Sequence, residues 1–127
     1  MYLLDTNIFL EILLNQDKSK ACELFINDNR GNLAISDFSL HSIGVILLRT
    51  NKHDVFSSFA ADIVEKIMIF SLPVNMYSTL PEYSKKTGLD FDDTYQCLVA
   101  KYYQLSIFTM DRDFEKAPED VQVDLFL

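Results

Sequence analysis

Apolar positions in this chain follow two rhythms. Tyr2 to Leu4 is a short continuous apolar run, the pattern of a strand buried on both faces. Ile8, Phe9, Ile12 and Leu13 follow at helical spacing, and Asn15 to Lys18 marks a turn. Ala21, Cys22, Phe25 and Ile26 predict a second helix that stops near Asn29-Arg30-Gly31-Asn32. Leu33 to Ser36 predicts a strand, and Leu40, Ile43, Ile46 and Leu47 a helix from Ser39 to about Thr50. Val55, Phe56, Phe59, Ala60, Ile63 and Ile67 predict one further amphipathic helix. Met68 to Leu72 predicts a strand ended by Pro73, and Tyr77, Leu80, Tyr83 and Ser84 a helix finishing at Gly88. Tyr95, Leu98, Val99 and Tyr102 carry a helix that starts at Asp92 or Asp93. Ser106 to Thr109 and Val121 to Phe126 are the last strand-like runs.

Short strands alternating with helices predict βαβ crossovers. The expected fold is α/β, a three-layer α/β/α sandwich around a central parallel sheet of about four or five strands. The length, 127 residues, suits a single domain spanning 1–127. In such sheets ligands bind beyond the carboxyl ends of the strands. Asp5 follows the first strand directly, so the expected chemistry lies at its edge of the sheet.

Composition narrows the function classes. Hydrophobic residues make up 49% of the chain and aromatics 13%, enough for a core without disulfide staples. Cys22 and Cys97 both sit in apolar helical patterns and are expected to be small core residues in a reducing cytoplasm. No run approaches the ~18 apolar residues of a membrane span, and no secretory leader pattern opens the chain. These features predict a soluble, cytoplasmic protein without a membrane partner. The formal charge of −8 argues against coating nucleic acid through a basic face. It leaves nucleic acid open as a substrate if divalent cations neutralise gathered carboxylates, and nine of the 19 acids lie between Asp90 and Asp124.

Three segments can deliver acids to one sheet edge. LLDTN ends a strand at Asp5, GLDFDDTYQCLVA opens a helix with Asp92 and Asp93, and IFTMDRDF places Asp111 and Asp113 past a strand. Crowded like charges repel, and loss of solvation adds to the cost. An all-oxygen set without His or Cys favours Mg²⁺ or Mn²⁺. Taken singly, Asp92, Thr6 or Asn7 fits a helix cap, while Asp113, Glu115, Glu119 and Asp120 fit a solvated loop.

Together these segments resemble a PIN domain, the nuclease module of VapC-type toxins, over nearly the whole chain. LLDTN resembles the opening strand and first acid, which maps onto Asp5, with Thr6 and Asn7 in the following positions. In the second segment the resemblance selects Asp93, because Ala100 falls seven residues beyond it. In the third, Thr109, one variable residue and Asp111 match the fourth acid, and Asp113 a secondary acidic position. One departure stands out. The family's Ser, five residues and a Glu becomes Ser36 followed by Ser42, a neutral residue where a carboxylate is usual. Asp37 lies on another helical face and pairs more naturally with His41 one turn away, and Glu11 is expected to be solvated on the first helix.

The resemblance implies a metal-dependent endoribonuclease in which Asp5, Asp93 and Asp111 hold Mg²⁺ or Mn²⁺. It also implies a small antitoxin partner and a homodimer. Thr6, Asn7, Ser42, Asp92, Thr109 and Asp113 are secondary site candidates, and Lys85, Lys86, Lys101 and Arg112 are candidate RNA-backbone contacts. The alternative is a degenerate PIN fold that binds RNA or a protein partner without cleavage, because Ser42 replaces the usual acid.

Overall fold

In the computed structural model, which describes residues 1–126, five strands form one all-parallel sheet in the order β3-β2-β1-β4-β5. The strands are β1 (Tyr2–Leu4), β2 (Leu33–Ser36), β3 (Met68–Phe70), β4 (Ser106–Thr109) and β5 (Val123–Leu125). The helices are α1 (Thr6–Leu13), α2 (Ser19–Asp28), α3 (Asp37–Arg49), α4 (His53–Asp62), α5 (Leu80–Thr87) and α6 (Phe91–Tyr103).

The central strands are mostly apolar because both faces are covered, with Ser36, Ser106 and Thr109 confined to strand ends. Leu3 pairs with Ala34 on one side and Ile107 on the other, and all three face the layer built by α5 and α6. Their neighbours Leu4, Ile35 and Phe108 point the opposite way, into Ile8, Phe9, Cys22, Ile43, Leu47 and Phe59 of α1 to α4. Cys22 and Cys97 are buried free thiols, one in each layer, and burial with nearby Asp93 and Asp5 pushes the Cys97 thiol up to about 12.

This layering fixes where the site falls. From β1 the chain grows outward through α1–α2 to β2 and α3–α4 to β3, on one face. It then returns through α5–α6 on the other face to β4, beside β1. The order therefore reverses between β1 and β4, and a crevice opens at their carboxyl ends. Asp5 follows β1 and Asp111 lies two residues past β4, so both stand at that crevice.

Two elements differ from the periodicity. The apolar pattern from Val55 to Ile67 is broken: α4 ends at Asp62 and a 3₁₀ turn spans Val64–Lys66. The helix expected from Tyr77 to Gly88 is a 3₁₀ segment, Val74–Thr79, followed by α5, with Pro81 tolerated in its first turn. Gly88, at φ 78°, ends α5, and Asp90 caps α6 by accepting the Asp93 N–H at 3.1 Å.

Gln104 ends α6 in the left-handed region, at φ 57° and ψ 53°, with its side chain exposed. Gln104→Gly relieves that strain and is expected to stabilise the protein by about 0.5–1 kcal/mol, seen as a higher urea midpoint at unchanged slope.

Candidate metal centre

Asp5 is the N-cap of α1, and its Oδ1 accepts the Thr6 N–H at 2.8 Å. A cap would need no more, yet three further donors converge on the same carboxylate. Thr109 Oγ1 donates to Oδ2 at 2.7 Å, Asn7 Nδ2 to Oδ2 at 3.3 Å, and Gln96 Nε2 to Oδ1 at 3.3 Å. These donors belong to the end of β4, to α1 and to α6, so Asp5, only 7% exposed, ties the three together. Burial raises its pKa, the bonds from Thr109, Gln96 and Thr6 pull it back, and Asp111 repels the charge.

Asp93 enters from the other layer, in the first turn of α6, and is 8% exposed. Its carboxyl is pushed up to about 7, first by burial and then by the negative charges of Asp90, Asp111, Asp5 and Asp113. Asp111 caps a 3₁₀ turn at Arg112–Lys116 by accepting the Asp113 N–H at 2.9 Å, while its own N–H donates to Thr109 Oγ1 at 3.0 Å. Thr109 thus orients both Asp5 and Asp111. Asn7 completes the link across the crevice, donating to Thr109 Oγ1 and accepting the Met110 N–H, each at 3.3 Å.

Asp5, Asp93 and Asp111 line one cavity of about 290 Å³, together with Thr6, Asn7, Ser42, Asp92 and Gln96. The set whose carboxylate oxygens lie within 4.8 Å of one another is Asp93, Asp111 and Asp113. Asp5 stands beside that set, with each of its two oxygens oriented by two protein donors. Asp113, exposed on its loop, joins the close group.

The structure places several of these residues differently or gives them partners within the chain. The cap of α6 is Asp90, whereas Asp92 is an exposed residue of its first turn at the cavity rim. Glu11 is buried, not solvated: its Oε2 accepts the Lys18 N–H at 3.3 Å and pins the turn after α1. Asp37 is held by Tyr95, whose hydroxyl donates to its Oδ1 at 2.7 Å, and not by His41. Lys101 pairs with Asp120 at 2.9 Å and lies eight residues along α6 from Asp93, about 12 Å away. Arg112 pairs with Glu115 at 3.3 Å, and Lys85 and Lys86 sit in the last turn of α5, where they favour its dipole. No Lys or Arg of the described residues lines the acid cavity.

Ser42 does line the cavity, as do the apolar side chains of Leu10 and Ile46. Two polar residues that motif reading passes over complete the support. Ser39, fully buried, accepts from Thr6 Oγ1 at 2.9 Å and from Gln96 Nε2 at 2.8 Å. Gln96 lies three residues after Asp93 inside an otherwise apolar stretch, which is the signal that marks it. Its Oε1 is buried without a hydrogen-bond partner among the described residues.

The donor chemistry fits a hard divalent cation. Among the described residues three carboxylates crowd together, no basic side chain lines the cavity, and no His or Cys joins them.

No curated protein sequence matches this one. Among solved structures, FitAcB from Neisseria gonorrhoeae is 26% identical, with TM-score 0.70, covering 97% of this chain and 96% of that one. VapBC2 from Rickettsia felis, solved bound to a promoter DNA fragment, has TM-score 0.74 at 19% identity, covering 98% and 97%. VapC20 of Mycobacterium tuberculosis, described as a sarcin-ricin loop cleaving toxin, has TM-score 0.79 at 13% identity, covering 96% and 99%. The PIN domain family model matches residues 2–120, nearly the full length of the described structure. The chain belongs to the PIN domain family.

Proposed function

We propose that this PIN domain is a metal-dependent endoribonuclease acting as the toxin of a toxin–antitoxin pair. The observation that carries this reading is the uncompensated carboxylate group of Asp93, Asp111 and Asp113 beside the anchored Asp5, at the reversal of the strand order. Asp5, Asp93 and Asp111, with Asp113 close by, would hold Mg²⁺ or Mn²⁺. When bound, the ion supplies Lewis acidity at a phosphoryl oxygen and a more acidic water. The chain's own part is to keep the donors fixed. Thr109, Asn7 and Gln96 hold Asp5 in one orientation, and Thr109 sets the turn that presents Asp111. In-line attack of water on the phosphodiester would leave a 5′-phosphate and a 3′-hydroxyl.

The VapBC and FitAB neighbours support an antitoxin partner. A cationic side chain from such a partner would neutralise the same carboxylates and compete with the ion. A homodimer is part of the same proposal.

Ser42 favours a second reading, a PIN fold that binds RNA or protein without cutting, since a hydroxyl brings no charge to the cavity it faces. Incubation of the purified chain with structured RNA separates the two. The nuclease reading expects cleavage with Mn²⁺ or Mg²⁺, none in EDTA, and loss of cleavage in Asp5→Asn. Activity that survives EDTA or Asp5→Asn sinks it, and absent cleavage with retained RNA binding assigns the second reading.

A further inference from the structure

Beside the acid cavity lies another of about 300 Å³, lined by Asp37, Phe38, His41, Tyr77, Phe91 and Tyr95. The two adjoin: Phe38 is a wall of both, and Phe91 immediately precedes Asp92 of the acid cavity. Tyr95 forms the buried floor. Its hydroxyl accepts the Leu72 N–H at 3.0 Å and donates to Asp37 Oδ1 at 2.7 Å, so ring and carboxylate are locked together. The Phe38 and Tyr77 rings lean on it, with centroids 5.8 and 5.9 Å away. Tyr77 and Phe91 are 43% and 54% exposed, large for rings that normally contribute to a core. Among the described residues, Asp37 Oδ2 and the His41 ring make no hydrogen bond within the chain, leaving an acceptor and a polar ring free among the aromatic faces.

We propose that this cavity receives one unpaired nucleobase of an RNA strand whose scissile phosphate sits over the acid cavity, and that Asp37 selects bases bearing an exocyclic amino group. The proposal rests on the nuclease reading above and names how that site holds its substrate. With a formal charge of −8 and no basic residue lining the acid cavity, a general basic field cannot retain RNA. Stacking on aromatic rings requires no charge and tolerates any base. The rim of Tyr77 and Phe91 supplies such faces, and Phe91 directly precedes Asp92 of the acid cavity. Single-stranded bases splayed out in this way are read along their edges. A carboxylate oxygen accepts the N4 amino group of cytosine but repels the O4 acceptor of uracil. A second copy of the chain is the competing occupant, but a free carboxylate and imidazole among the rings would be left unpaired under an apolar patch.

Binding of labelled oligocytidylate and oligouridylate in Ca²⁺, with gels to verify intact RNA, tests this directly. Wild-type protein is expected to prefer oligocytidylate by about tenfold. Phe91→Ala, altering an exposed ring, should weaken both by at least about fivefold with unchanged thermal unfolding, and Tyr77→Ala should act likewise. Asp37→Asn, which keeps acceptors for Phe38 and Tyr95, should erase the cytosine preference. If wild-type protein cleaves RNA with metal but Phe91→Ala binds as tightly as wild type, or oligouridylate is preferred, the base site is wrong and the nuclease reading stands. If Phe91→Ala instead turns a dimer into a monomer with RNA affinity intact, a second copy covers the cavity and the proposal fails. A wild-type chain that neither binds nor cleaves any RNA removes both.

Discussion

Asp93→Asn is expected to make the cation-free protein more stable near neutral pH while removing its response to divalent ions. The folded-state pKa of Asp93 is raised from 3.8 to about 7, by burial first and then by four neighbouring acids. A carboxyl with a raised folded pKa binds more protons folded than unfolded between those two values. Its contribution is therefore fully present below about pH 4 and is lost as pH rises through about 7. At about pH 8 the wild-type protein carries a destabilising charge on the order of 2–4 kcal/mol, which a neutral Asn does not carry. For a chain of this size that corresponds to roughly 10 °C in Tm. Below about pH 4 the two proteins should converge, since Asp93 is then protonated in both states. Mn²⁺ should close the gap by stabilising only the wild type, by about 2.7 kcal/mol at a hundredfold excess over Kd and about 4.1 kcal/mol at a thousandfold excess. Thermal unfolding from about pH 3 to 8, in EDTA and in Mn²⁺, measures all of this. A variant less stable than wild type at pH 8 in EDTA would show that Asp93 is not held against its neighbours as described.

The same residue shows what a linear sequence does and does not carry. Strand positions were legible because β1, β2 and β4 are buried on both faces, which leaves short near-continuous apolar runs such as Leu33–Ile35. The reversal of strand order at β1 and β4 follows from alternating elements plus crossover handedness, and it brings Asp5 and Asp111 to one edge. What periodicity missed depends on side-chain direction. Glu11 sits at a helical position that could face either way, and a backbone N–H seven residues later holds it inside. Asp92 fits a cap by sequence alone, but the extended backbone lies two residues earlier, at Asp90, which makes Asp90 the cap. Gln96 and Ser39 were hidden because a buried amide bridging Asp5 to α3 leaves no spacing motif, only an isolated polar residue in an apolar helix. The break after Asp62 was hidden because Ile63 and Ile67 continue the apolar pattern although the backbone there tightens to a 3₁₀ turn.

Ser42→Glu is expected to lower the Mn²⁺ concentration giving half-maximal cleavage by roughly 10- to 100-fold. Position 42 lies on the wall of the acid cavity, with Leu10 and Ile46 as apolar surface along which a Glu stem can lie. The added carboxylate would face Asp5 and Asp93 from α3, supplying charge from a third direction. Without metal that charge is a burden, because it adds to the repulsion already pressing on Asp93. The variant should therefore be less stable than wild type in EDTA by about 1–2 kcal/mol and should gain more from Mn²⁺. This is the mirror image of Asp93→Asn: one substitution removes a charge that costs the cation-free fold stability, the other adds one. Ser42→Ala, which changes no charge, should leave the Mn²⁺ dependence within about twofold, because a neutral hydroxyl contributes little as a ligand. Unchanged Mn²⁺ dependence and unchanged cation-free stability in Ser42→Glu would mean that position 42 does not electrostatically meet the acids. The missing charge at Ser42 could then no longer distinguish a weakened nuclease from a fold that has given up cleavage.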